Sequence, residues 1–190
     1  MIVFLNGASS SGKTSLSRAL QARWPGPLLY WSLDTVIAQL PFAYTGKGAH
    51  AQEGFEVAGS RVRAGLHGQA LNALSAQYLA TLAAAGYDIV VDYVLLEQAM
   101  LAPFTDALRD CDVCLVGLYC EEALLAERNA ARPDRAPGLA LAQQQVVHFA
   151  RDRYDLILDS SLSSVDQLAE QLMTYIADNP PARGLEFAAG

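Results

Sequence analysis

Gly7, Gly12, Lys13 and Thr14 meet the spacing G-x-x-x-x-G-K-[ST], and the chemistry open to such a set is the grip of a phosphate chain. Glycines at both ends permit backbone angles and close approaches that a Cβ would block. Ala8, Ser9, Ser10 and Ser11 between them, with Ser15 just beyond, offer backbone N–H groups to anionic oxygens. Lys13 is long enough to reach β and γ phosphates, and the Thr14 hydroxyl can ligate Mg²⁺. Residues 7–15 are therefore the candidate nucleotide site, with Lys13 also a candidate for stabilising charge during transfer and Thr14 for holding the metal.

Phosphoryl transfer asks a protein for charge neutralisation, a metal and an aimed acceptor oxygen rather than covalent help. Asp34, in "YWSLDTVIAQ", either caps a helix beginning at Thr35 or accepts a hydrogen bond from a substrate hydroxyl, and the phosphate loop favours the second role. Aspartate is intrinsically a weak base, so orientation would matter more than proton abstraction. Asp92 closes the apolar run of "DIVVDYV", the pattern of an acidic residue that supports Mg²⁺ beside a phosphate loop, although a strand-ending Asp also suits a turn. Arg128, Arg132 and Arg135 fall within eight residues of "ERNAARPDRAPG", the first two one helical turn apart. A helix end can use such charge against its dipole. In a chain of net charge −7, a phosphate explains three arginines better, because the planar guanidinium fork fits its oxygens. Arg132 and Arg135 thus join Asp34 and Lys13 as catalytic candidates, Arg128 joins the nucleotide set, and Asp92 joins Thr14 at the metal. His148, in "QQVVHFARD", shows no evident partner and reads as structure.

These groups act only if elements deliver them. Residues 2–5 are a continuous apolar run suited to a strand buried on both faces, and residues 13–23 put Leu16, Ala19 and Leu20 on one helical face. The loop therefore joins a strand to a helix N-terminus, where unsatisfied N–H groups and the dipole favour an anion. Apolar runs at 28–32, 89–92, 113–119 and 156–158 predict four more strands. Leu71, Leu74, Tyr78 and Leu82 predict one helical face; Met100, Leu101, Phe104 and Leu108 a second; Val165, Leu168, Leu172 and Ile176 a third. Strands alternating with helices imply the α/β class, a five-stranded parallel sheet flanked by helices with right-handed crossovers. Two segments break the rhythm near strand ends, where ligands bind in such sheets. Residues 41–68, rich in Gly and aromatics, are expected to wall an acceptor pocket, with Phe42, Tyr44 and Phe55 as candidate lining; residues 132–138 are expected to form a lid. Solvated surface loops are the plainer alternative. A single domain over 1–177 and a frayed tail at 178–190 complete the expectation.

Composition narrows the classes. At 190 residues and 52% hydrophobic the chain can fill one core. The negative balance argues against a nucleic-acid partner. No basic leader followed by an apolar stretch and no run of about 18 apolar residues appears, so no membrane association and a cytoplasmic location are expected. Cys111 and Cys114 have C-x-x-C spacing but lie on a strand that sends them to opposite faces. With His50, His67 and His148 scattered, the cysteines read as small buried hydrophobes rather than a zinc site.

The motifs "LNGASSSGKT", "SLDTVI", "IVVDYVLL", "ERNAARPDRAPG", "QVVH" and "YDLILDSS" together resemble the chloramphenicol phosphotransferase family, small kinases related in fold to nucleoside monophosphate and shikimate kinases. The resemblance runs along almost the whole chain in order and spacing. It implies a three-layer P-loop kinase fold, ATP with Mg²⁺, and transfer of the γ-phosphoryl group to a hydroxyl of a small molecule, a chloramphenicol-like antibiotic or a related acceptor. By the same resemblance Asp34 aligns with the family's catalytic carboxylate, and Arg132 and Arg135 with its lid arginines. Residues 41–68 are shorter and differently worded than the corresponding segment of the chloramphenicol enzyme. Two other functions stay open at this point: a kinase of a nucleotide or sugar acceptor, zeta-toxin-like kinases included, and a nucleotide-binding switch without acceptor chemistry. Homo-oligomerisation is also left open.

Overall fold

Side-chain alternation along the first strand sets the layers. In a computed structural model that describes residues 1–58, 61–132 and 135–179, β1 (Ile2–Asn6) is buried at every position. Ile2 and Phe4 enter one apolar cluster while Val3 and Leu5 enter another on the opposite side, as the two-residue period of a strand requires. The chain continues through α1 (Lys13–Arg23), β2 (Leu28–Ser32), α2 (Leu33–Ile37), β3 (Thr45–Gly46), β4 (Phe55–Ala58), β5 (Arg61–Ala64) and α3 (Leu66–Ala84). Then follow β6 (Asp88–Tyr93), α4 (Gln98–Ala107), β7 (Val113–Tyr119), α5 (Glu122–Ala130), α6 (Leu139–Val147), β8 (Leu156–Asp159) and α7 (Val165–Asp178).

The main sheet has five parallel strands in the order β2-β6-β1-β7-β8, the α/β arrangement that the alternation predicts. Leu16 and Leu20 of α1 pack with Leu168 and Leu172 of α7 on one face. Leu79 of α3 and Leu101 and Phe104 of α4 cover the other. There the rings of Phe4, Tyr93 and Phe104 meet at centroid distances of 5.1 to 6.0 Å in tilted and edge-on pairs, each worth about 0.5–1.5 kcal/mol beyond its buried area. The register is what positions the site. Leu5 pairs with Asp92 and Asp92 with Ser32, so β1, β6 and β2 end level and their following loops converge on one edge.

Three expectations change. Residues 41–68 are not an irregular insertion: β3, β4 and β5 form a second sheet, β3 parallel to β4 and β4 antiparallel to β5, with Phe55 opposite Ala64 and Val57 opposite Val62. Residues 59 and 60 lie outside the described set. On α3, Leu71 and Leu82 pack against the core as expected, but Leu74 and Tyr78 are largely exposed, Tyr78 against the Trp31 ring, and the buried side is Gly68, Asn72, Ser75, Ala76 and Leu79. That face is polar because it is paired: the Tyr93 hydroxyl donates to Asn72 Oδ1 at 2.7 Å and Asn72 Nδ2 donates to the Met100 carbonyl at 3.0 Å, which removes the penalty of burial. Of the expected lid, residues 133 and 134 lie outside the described set; residues 132 and 135–138 fall between α5 and α6 in no helix or strand, so Arg132 lies beyond the end of α5 rather than on it. Residues 180–190, nearly all of the expected tail, also lie outside the described set.

Candidate active site

Backbone geometry builds the loop at the end of β1. Gly12 has φ +102° and is followed directly by α1, a conformation that glycine reaches without strain. A Cβ on Gly7 would sit 2.6 Å from the Leu118 carbonyl, so only glycine lets the loop lie against β7. Ser10 also takes a positive φ of 63°. The hydroxyls of Ser9, Ser10 and Ser11 are buried without a hydrogen-bond partner. Orphan donors grouped beside a helix N-terminus are what a phosphate chain would satisfy, so these residues fit the nucleotide that the motif implies.

The charged groups expected to serve that nucleotide are gathered here. Lys13, buried at the start of α1, turns its Nζ onto the carbonyls of Gly7 (2.9 Å) and Ala8 (2.8 Å), with Asp92 Oδ1 at 3.7 Å. Burial pushes its pKa below the ordinary lysine range, while the Asp92 charge pulls the other way. Asp92, at the level end of β6, accepts from the Thr14 hydroxyl at 2.6 Å and from the Tyr30 hydroxyl at 3.1 Å, both on Oδ2. Burial and the Asp92 charge raise the Tyr30 pKa, which keeps that phenol a donor. Among the described residues no group of three or more His, Cys, Asp or Glu side chains could hold a metal. One hydroxyl and one carboxylate are a sufficient protein contribution for Mg²⁺, which takes its remaining ligands from phosphates and water.

Asp34 follows β2 on α2, where Ser32 and not Asp34 is the cap, its Oγ accepting from the Thr35 N–H at 3.1 Å. The helix-cap alternative for Asp34 is thereby removed. Its carboxylate instead takes both arms of the Arg135 guanidinium, Oδ2 at 2.5 Å and Oδ1 at 3.3 Å. Arg128 donates to Ser160 Oγ at 2.9 Å and to the Ser160 carbonyl at 3.2 Å, which places its Nη1 4.0 Å from where a Cβ on Gly12 would be.

A cavity of about 500 Å³ brings these groups together. Ser9, Ser10, Gly12, Lys13, Thr14, Ser15, Asp34, Asp92, Arg128, Arg132 and Arg135 all line it. Its lining is mixed. Ser160, bonded to Arg128, is joined by Ser163 and Ser164 from the connection between β8 and α7, while Ile37, Phe55, Val62, Ala64, Val94, Leu96, Met100, Leu139, Val165 and Leu168 add apolar surface. Of the three aromatic residues expected there only Phe55 contributes. Phe42 is 85% exposed, and Tyr44 stacks on His50 and meets His67 edge-on.

Sequence reasoning missed the Ser160–Val165 connection, Gln143 and Tyr30. The first had a signal, a Ser-rich run directly after an apolar strand; the other two are single residues inside regular elements. His148, expected to lack a partner, has one: Nδ1 lies 2.9 Å from the Tyr154 hydroxyl and the ring stacks on Tyr119 at 3.6 Å. Burial, aided by the Lys13 and Arg151 charges, lowers its pKa to about 4. Cys114 and Cys120 are buried and Cys111 half-buried, all three as thiols.

A Mycobacterium tuberculosis protein carrying the name "Putative O-phosphotransferase" is 30% identical over 187 residues, spanning 90% of this chain and 80% of that protein. Among solved structures, a sugar kinase from Janibacter sp. HTCC2649 superposes with a TM-score of 0.66 at 19% identity, covering 94% of this chain and 95% of its own. Shikimate kinase from Acinetobacter baumannii superposes with a TM-score of 0.62 at 14% identity, covering 94% of each. Both share the fold. The profile of the family described as "Chloramphenicol phosphotransferase-like protein" matches residues 1–177, so this chain, a small-molecule kinase built on the P-loop fold, belongs to the chloramphenicol phosphotransferase-like family.

Proposed function

We propose that the protein moves the γ-phosphoryl group of ATP, with Mg²⁺, to a hydroxyl of a small and largely apolar molecule, a chloramphenicol-like antibiotic or a related acceptor. One observation carries this: a single cavity is lined by the phosphate loop, the three arginines, Asp34 and apolar side chains that include Ile37, Phe55, Val62 and Met100. A sugar or nucleotide acceptor would bury hydroxyls or charge against Phe55, Val62, Leu96 and Met100 without partners, at about 1–3 kcal/mol for each unpaired group. The "O-phosphotransferase" in the name of the Mycobacterium tuberculosis relative agrees with a hydroxyl acceptor. The free thiols suit a cytoplasmic setting, and among the described residues no helix is long and apolar enough to cross a membrane.

Ser9, Ser10, Ser11, Gly12 and Lys13 would hold the phosphates, Thr14 and Asp92 the metal, and Arg128 the nucleotide. ATP with Mg²⁺, when bound, supplies the phosphoryl group and part of the charge neutralisation. Lys13 exchanges its two loop carbonyls for phosphate oxygens, a trade among acceptors that requires no new desolvation. Asp34 would accept the hydrogen bond of the acceptor hydroxyl, aim its oxygen at the γ-phosphorus and take up the proton, as the new O–P bond forms and the bond from phosphorus to the bridging oxygen breaks with ADP as leaving group. For this Arg135 gives up Asp34, and with Arg132 turns its charge toward the transferring group.

The test is incubation with Mg²⁺-ATP and a panel comprising chloramphenicol, simple aryl alcohols, hexoses and nucleosides, with mass spectrometry of each acceptor. A gain of one phosphoryl group by alcohols with apolar bodies is expected. Phosphorylation confined to hexoses or nucleosides would reject the acceptor class, and tight ATP binding with no phosphorylated product would make the protein a switch.

A further inference from the structure

One buried carboxamide lines the cavity beside the phosphate loop. Gln143 lies one turn after Leu139 on α6, is 6% exposed and lines the cavity with it. Its Oε1 accepts the Ser9 N–H at 2.8 Å. A backbone N–H can pair only with the oxygen of a carboxamide, so the orientation of the group is fixed by the phosphate loop. Its Nε2 is therefore the free end. Among the described residues the only side-chain hydrogen bond that Gln143 makes is the one to Ser9. Nε2 is not among the fully buried atoms that lack a partner, so it meets the open space of the cavity, where a ligand oxygen can accept from it. Lys13, Arg128, Arg132 and Arg135 line the same cavity and already supply its positive charge. A neutral donor one turn from Leu139, in a cavity that Leu96 and Met100 also line, instead matches a neutral oxygen carried on an apolar body.

We propose that Gln143 is a specificity-determining residue of the acceptor site: held by the phosphate loop, its Nε2 donates to a second, non-reacting oxygen of the acceptor while the reacting hydroxyl lies toward Asp34. The favoured acceptor is then an uncharged, mostly apolar alcohol bearing one further hydroxyl, ether or carbonyl oxygen. This rests on the proposed phosphotransfer and sharpens its substrate class.

Two alcohols with the same body, 3-phenylpropan-1-ol and 1-phenylpropane-1,3-diol, differ by one oxygen and serve as probes with Mg²⁺-ATP. Wild type is expected to favour the diol by about tenfold in kcat/KM, the value of one hydrogen bond. Gln143→Met removes the amide; Gln143→Glu keeps an oxygen for the Ser9 N–H but loses the donor. Both should bring the ratio close to one. Each ratio is taken on a single variant, so changes in folding or nucleotide affinity divide out. A wild-type ratio near one overturns the inference, as does a Gln143→Glu enzyme that keeps the wild-type ratio, which would show that only the tie to Ser9 matters. Wild-type protein that binds Mg²⁺-ATP but phosphorylates no alcohol of the wider panel overturns the proposed reaction instead.

Discussion

Lys13 is charged, buried and satisfied at once, and each property bears on what its loss would do. Two carbonyls and Asp92 hold the ammonium, so Lys13→Met should remove a group whose burial is already unfavourable. Phosphoryl transfer should fall by at least about 10³-fold for want of charge at the phosphates, while circular dichroism and a denaturant titration show a folded chain. Asp34 is the opposite case. Its side chain is 62% exposed in its pair with Arg135, so the pair adds little to stability. Asp34→Asn should lower kcat by roughly 10²–10⁴-fold and change Mg²⁺-ATP affinity by less than about threefold; steady-state kinetics beside calorimetric titration separates the two, and an unaltered kcat would end the assignment. Residues of this kind were legible because carboxylates at strand ends and a glycine loop are chemically out of place in a core. Tyr30 and Gln143 were not. A tyrosine in an apolar strand reads as packing, and its bond to Asp92 depends on the register that sets Ser32 beside Asp92, which no local pattern encodes.

Among elements, long apolar strands announced themselves and short ones did not. β4 and β5 are four residues each and β3 only two, yet "FEVA" and "RVRA" alternate apolar with charged or small residues, a period-two signal masked by the surrounding glycines. Their pairing sets Phe55, Val62 and Ala64 in the lining of the cavity. Phe55 is 3% exposed and belongs to the main core cluster. Phe55→Ala should therefore destabilise the chain by about 3–5 kcal/mol, read from the urea midpoint, besides enlarging the pocket. The end of α6 carries a pH dependence. His148 has a folded pKa of about 4, below the ordinary value of about 6.5, so the unfolded chain binds the proton more readily. The stability this represents is complete above about pH 6.5 and is lost as pH falls toward 4. Allowing for the part of the ring that meets solvent, acidification from pH 7 to 4 should cost on the order of 1–2 kcal/mol through this residue. His148→Phe, which preserves the stack on Tyr119, should flatten that part of the stability curve, and an identical curve in the variant would assign the acid sensitivity elsewhere.

At the scale of the whole molecule, the level ends of β1, β6 and β2 make binding at the cavity a property of the core. The phosphate loop continues β1, Asp92 is the penultimate residue of β6 and Asp34 follows β2, so a ligand that joins them ties together the three strands at the centre and one edge of the sheet. Ligand that binds the folded chain alone stabilises it by RT ln(1 + [L]/Kd), about 2.7 kcal/mol at a hundred times Kd. For a chain of this size each kcal/mol raises the midpoint by roughly 2–4 °C. Mg²⁺ with a non-hydrolysable ATP analogue at that excess should thus raise Tm by about 5–10 °C. Omitting Mg²⁺ should shrink the rise, since Thr14 and Asp92 would lose their part in it. At the same ligand concentration Lys13→Met should show a much smaller rise, because the interaction of Lys13 with the phosphates exists only in the bound, folded state. A scanning calorimetry series with and without Mg²⁺, on wild type and Lys13→Met, reads all of these. An equal rise in both proteins would place the nucleotide away from the loop and remove the basis for assigning the phosphoryl donor to this cavity.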